Sequence, residues 1–265
     1  MIKMVSLCAP LTLGLLGLVG SCATVEGTKR QQLMPLPDSY MDSLGVSAYS
    51  EMKAKDPISS DQALTHEMTA IAQKVAAATG KQLGWEFTLF NSSQINAFCL
   101  PGGKVGVYTG MIPMAKSNAG LAAVLGHEMG HAIAHHSGER MSQQLLLSGA
   151  LMSVDALMAD SAKKQLTLAA LGLGAQVGVT LPFSRLQESE ADTLGLLYMA
   201  RAGYDPHEAI QLWLRMDKEG GAPPEFLSTH PDSAKRAAAL EEQLPKAMIE
   251  YEASQKVATM PLTGN

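Results

Sequence analysis

Five consecutive residues, His127-Glu128-Met129-Gly130-His131, have the types and spacing to do chemistry. They lie in an apolar run from Ala119 to His135 that reads as helix. Residues four apart share one helical face. His127 and His131 therefore offer two imidazoles to one Zn²⁺. Glu128 is offset by about 100° on the same turn. It can reach a water beside the ion without ligating the ion itself, which is the placement of a general base in metal-assisted peptide hydrolysis.

A catalytic zinc site usually has three protein ligands and an open position. Glu188, on a later predicted helix, is the expected third ligand. Asp192 lies four residues on, on the same face, where it can accept the ring N–H of a ligand histidine and hold its tautomer. Glu190 is the rival ligand, but at two residues from Glu188 it should point elsewhere on a helix.

HExxH followed by Glu188-Ser189-Glu190-Ala191-Asp192 resembles the HtpX/CAAX-prenyl-protease family of zinc metallopeptidases, specifically its soluble exported bacterial members. Three further stretches carry the resemblance. They are Asn96-Ala97-Phe98 with Pro101-Gly102-Gly103, Ser184-Arg185 ahead of Glu188, and Ser228-Thr229-His230-Pro231 followed by Arg236. Cys99 departs from the small or apolar residue expected, and the multi-span membrane helices of the membrane-embedded members are absent, which puts membrane-embedded substrates in doubt. The resemblance implies one Zn²⁺ on His127, His131 and Glu188, with Glu128 as base and protein or peptide substrates. It also places His230 near the metal, either as a fourth, gating ligand or as a group that stabilises the oxyanion. The plainer reading of His230 is a helix-capping surface residue. Asn96, Gly102 and Gly103 are expected to help bind substrate, the strand near Gly102–Val107 holding it by backbone pairing. The plainer reading there is a core hairpin.

These residues need elements to hold them. A helix is expected over 60–79, with Leu64, Met68, Ile71, Ala72 and Val75 on one face and Gly80 as its stop. Residues 85–90 read as a strand, and a Pro-Gly-Gly turn joins two more before Gly110. Ser117 or Asn118 can cap the HExxH helix. Pro182 can open the helix that carries Glu188, with Gly203 ending it. Asp205-Pro206 starts another helix, Gly220 to Pro224 break the chain, and a last helix begins near Pro231-Asp232. Residues 141–181 read as buried helices or a helical hairpin, their uncharged part being short for a membrane span. His135 and His136 read as helix-end polar residues, His66 and His207 as exposed, and Cys99 as a packed apolar group without a base.

Lys3, an uncharged run over 5–19 and Gly20-Ser21-Cys22 form a signal-peptide pattern that resembles a lipobox. Cleavage before Cys22 and lipid on it are expected, giving a membrane attachment. Ala23 implies outer-membrane sorting where two membranes exist. Only Cys99 then remains, so no intramolecular disulfide is expected. The net charge is −5 with no basic run, which gives no footprint for nucleic acid. The expected layout is a signal over 1–21, a lipidated tether over 22–59, a peptidase domain over 60–245 and a tail over 246–265. The expected fold is α+β, mostly helical and zincin-like, with a small antiparallel sheet beside the HExxH helix. The expected function is zinc endopeptidase work in the cell envelope, with an assembly or regulatory partner there. Two rivals stand beside it: a non-proteolytic chaperone or assembly lipoprotein, and a latent protease gated by His230.

Overall fold

A computed structural model describes residues 22–25, 27–147, 167, 170–171, 183–218, 225–230 and 233–263. The expectations for the signal segment, for most of 141–181, for Pro182, for the break over 220–224 and for Pro231-Asp232 lie outside these residues. A short antiparallel hairpin, β1 (Cys22–Thr24) and β2 (Gln31–Leu33), comes first. The helices α1 (Asp38–Lys55) and α2 (Gln62–Ala78) follow. Then come β3 (Glu86–Phe90), β4 (Ala97–Leu100), β5 (Lys104–Tyr108) and a short α3 (Met111–Ala115). The rest is helical: α4 (Asn118–Ile133), α5 (His136–Leu147), α6 (Arg185–Arg201), α7 (His207–Lys218), α8 (Glu225–Thr229) and α9 (Ser233–Ala253). Among the described residues no helix is long and apolar enough to cross a membrane.

The mostly helical α+β architecture stands as expected, and its details differ in four places. Residues 38–55, expected within a tether, form a packed helix. The prolines bracket it: Pro37 is its N-cap, and the chain leaves helical geometry at Asp56, before Pro57. Met41, Leu44, Ala48, Tyr49 and Met52 of α1 pack with Phe98, Leu100 and Tyr108 on one face of the sheet. Val105 and Val107 face the larger core with α2 and α4. The sheet itself is mixed. The β4–β5 hairpin is antiparallel, but β3 joins β5 in parallel, in the order β3-β5-β4. A central β5 is paired on both sides, so the expected pairing of substrate along 104–107 is corrected: β4 is the edge strand nearest the HExxH helix. The expected C-terminal tail is tied down as well. Residues 246–253 continue α9, Val257 N–H donates to Gly203 O at 2.8 Å, and Asn118 N–H donates to Met260 O at 3.0 Å.

The expected Ser117 cap holds: its hydroxyl accepts Gly120 N–H at 3.0 Å. α6 opens on a capping box of Ser184 with Gln187, which the sequence reading, with its start at Pro182, does not include. α4 and α6 then cross on their smallest residues. A Cβ on Gly195 would sit 2.6 Å from the His127 backbone nitrogen, and one on Gly126 would sit 2.7 Å from Gly195 O. This backbone approach brings His127 and His131 to Glu188 and Asp192. Gly195→Ala should therefore cost about 1–3 kcal/mol through overpacking and lower metal content by spreading the two helices. Chemical denaturation and metal analysis of the purified variant check both effects.

Candidate metal centre

His127, His131, Glu188 and His230 each place one donor atom within 4.8 Å of all the others. His127 Nε2 is 3.0 Å from His131 Nε2 and 3.2 Å from His230 Nδ1. Glu188 Oε1 lies 2.9 Å from His230 Nδ1 and 3.5 Å from His131 Nε2. Nitrogens sharing one tetrahedral Zn²⁺ lie roughly 3.3 Å apart, from bond lengths of about 2.0–2.1 Å. None of these four residues, nor Glu128, is more than 4% exposed.

The outer ring atoms test whether a cation fits. His127 Nδ1 lies 3.0 Å from Asp192 Oδ1. Arg236 Nη2 is 3.0 Å from Nδ1 and 3.2 Å from Nε2 of the same ring, a position over the ring plane rather than along a lone pair. Asp192 is the carboxylate within reach of Nδ1, and a proton held on Nδ1 would leave Nε2 to present a lone pair. His131 Nδ1 is engaged by His136 Nδ1 at 2.8 Å, which leaves its Nε2 facing inward too. With a lone pair on both inward nitrogens, 3.0 Å apart, the two rings would repel unless a cation lay between them. The donor set therefore fits zinc.

Arg236 supports this arrangement from beneath. It makes a fork onto Asp192 at 2.8 and 2.6 Å, and its Nη1 lies 2.7 Å from Glu188 Oε2. Its guanidinium stacks over Trp213 at 3.4 Å. Burial pulls against ionisation of Glu188, but Arg236 and His230 outweigh it and hold its carboxyl well below the usual range. Burial dominates at Glu128 instead and pushes it up to about 7. The Cys99 backbone N–H, on the edge strand, donates to the Glu128 carboxylate. Its buried Oε1 has no hydrogen-bond partner among the described residues, and His230 Nε2 is 3.4 Å away. His230 is thus buried rather than a surface cap, its ring stacked between Phe183 and Phe226.

The remaining expected residues are placed less centrally. Asn96 Oδ1 accepts the Ala97 N–H and its carbonyl accepts the Tyr108 N–H, so Asn96 starts the hairpin. Gly102 and Gly103 take the positive φ values that the turn demands, +75° and +74°. Gly103 lies against Leu83 and Trp85, while Gly102 lines a surface hollow with Asp42, Ala132 and His135. Cys22 lies in β1. The Cys99 thiol is buried, and burial raises its pKa well above the ordinary value, as suits a packed group.

Sequence reasoning missed His136, which is completely buried rather than a helix-end polar residue. It also missed that Glu190, which lies outside the four converging donors, is buried against His136, Arg30 and Thr28.

A short strand pair beside a helix bearing two histidines, with a carboxylate from a crossing helix, defines a zincin-like metallopeptidase domain. The profile of peptidase family M48 matches residues 59–244, and the chain belongs to that family. It is 40% identical over 198 residues to the mitochondrial metalloendopeptidase OMA1 of Schizosaccharomyces pombe, covering 71% of this chain and 55% of that relative. It is 30% identical over 230 residues to the beta-barrel assembly-enhancing protease of Yersinia pestis, covering 77% and 47%. The corresponding Escherichia coli protein is 29% identical over 216 residues, covering 78% and 42%. The chain spans about half the length of these curated relatives.

Proposed function

We propose that the chain is a zinc-dependent endopeptidase of a bacterial cell envelope, acting on misfolded or unassembled envelope proteins. The observation that carries the peptidase reading is the convergence of the His127, His131, Glu188 and His230 donors beside a Glu128 carboxylate that lacks a hydrogen-bond partner on Oε1. Zn²⁺ held by His127, His131 and Glu188 would supply Lewis-acid polarisation of the scissile carbonyl and acidify an attacking water. Glu128, raised toward neutrality, takes the water's proton and passes it to the leaving amine. Asp192 orients His127, and Arg236 forks onto Asp192 and places its charge beside Glu188. The edge strand β4 offers a backbone on which extended substrate can pair, beside Glu128. The envelope reading, with lipid on Cys22 as part of it, is supported by the N-terminal sequence pattern ending at that cysteine and by the similarity to the beta-barrel assembly-enhancing protease. The similarity to the mitochondrial enzyme supports the chemistry alone.

A second reading is latency. His230 takes a fourth donor position, and the whole site is buried. In this state His230 holds the place that water and the substrate carbonyl need. The test is cleavage of an unfolded protein by the zinc-loaded full chain, with and without a chelator. Chelator-sensitive cleavage is the expected result, and His230→Ala should change its basal rate. A zinc-loaded wild type and His230→Ala that both leave the substrate intact would favour the non-proteolytic chaperone. Equal rates and zinc contents in the two proteins would end the gating role.

A further inference from the structure

We propose that His136 and Glu190 form a hydrogen-bond relay that selects the ring tautomer of His131, and that Arg30 of the N-terminal hairpin holds the outer end of this relay. The inference rests on the reading of His131 as a zinc ligand. His136 is 0% exposed, so both of its ring nitrogens need partners inside the protein. Its Nε2 lies 3.2 Å from Glu190 Oε2. A carboxylate only accepts, so Nε2 carries the hydrogen. Its Nδ1 is then an acceptor, and it lies 2.8 Å from His131 Nδ1. His131 must donate there, and its own lone pair is left on Nε2, facing the metal site. Glu190 thereby does for His131, through one intervening imidazole, what Asp192 does for His127 directly. His136 is a positioning residue.

The outer end is tied to the β1–β2 hairpin. Arg30 Nε donates to Glu190 Oε2 at 2.5 Å, and the Thr28 hydroxyl donates to Glu190 Oε1. Arg30 also forks onto Glu139 of α5 at 2.7 and 2.8 Å, and Gln187 of α6 donates to the same Glu139 at 2.8 Å. One guanidinium thus joins the two helices that carry His136 and Glu190, and holds the Glu190 carboxylate toward the ring.

The test measures the zinc dissociation constant by chelator competition in the full chain, for wild type, His136→Leu and His136→Gln, with the thermal stability of each metal-free protein. His136→Leu removes the acceptor and should weaken zinc binding about 10–100-fold, the usual cost of losing such a partner. His136→Gln can accept at its amide oxygen and donate at its nitrogen, and should restore most of the affinity. Equal affinity in wild type and His136→Leu would overturn the relay, as would equal weakening in both variants. Absence of zinc from wild type would instead overturn the metal site. If His136→Leu fails to fold, ¹⁵N NMR of the imidazoles decides: Nε2–H on His136 with Nδ1–H on His131 is expected, and Nδ1–H on His136 would overturn the relay.

Discussion

Glu128→Gln keeps its zinc and loses cleavage by about 10²–10⁴-fold, the range a positioned general base contributes. Its carboxylate is not among the four converging donors, so the amide leaves the metal's partners in place. The shape is conserved, and the Cys99 backbone N–H still finds an oxygen to bond. What the amide cannot do is take a proton. Burial raises the acid in the metal-free protein, and a cation at the neighbouring donors would favour its ionised, proton-accepting form. Initial rates on an unfolded protein, with zinc content on the same samples, check the effect. Wild-type turnover in this variant would remove Glu128 from the chemistry. Substrate capture that survives the substitution while cleavage is lost would separate binding from hydrolysis, the distinction on which the chaperone reading depends.

Arg236→Met should be the most destabilising single change at the site, costing roughly 3–5 kcal/mol. Methionine matches much of the stem and removes the charge. Asp192 and Glu188 then lie buried without the guanidinium that faces both. Removing one partner of a buried ionic group leaves the other's desolvation uncompensated. Arg236→Lys should recover little, because an ammonium cannot fork onto Asp192 while reaching Glu188 and stacking on Trp213. Denaturant titration with and without zinc is the measurement. The loss should be smaller with zinc, which offsets the charge of Glu188. A loss of about 1 kcal/mol or less, the worth of an exposed pair, would show that the arginine carries no such burden.

The parts of this site legible in the sequence are those governed by local periodicity. His127, His131, Glu188 and Asp192 follow from four-residue spacing on two helices, and the Ser117 cap follows from hydrogen-bonding habit, whereas the Ser184 capping box appears only in the structure. His136 was hidden because that periodicity ends before it. α4 stops at Ile133, His135 takes φ +54°, and the chain turns so that a residue five positions after His131 comes back onto its ring. Spacing puts Glu190 on a different helical face from Glu188, and that face meets the N-terminal hairpin. Such a contact between segments distant in sequence leaves no local pattern. α1 did carry an apolar stripe, from Met41 through Met52, yet its flanking prolines drew the reading toward a tether. The parallel partner of β3 depends on how the sheet is assembled, which five residues cannot encode.

The burial of the donor atoms has a kinetic consequence. With none of the four converging donor residues, nor Glu128, more than 4% exposed, the proposed function requires that an ion and a peptide both wait for the protein to open. Exchange of the metal and admission of substrate then share one first-order step, set by how often the helices and His230 part. Affinity for zinc and readiness to work are opposed in such a design: every contact that slows the ion's escape also lengthens the wait for a substrate.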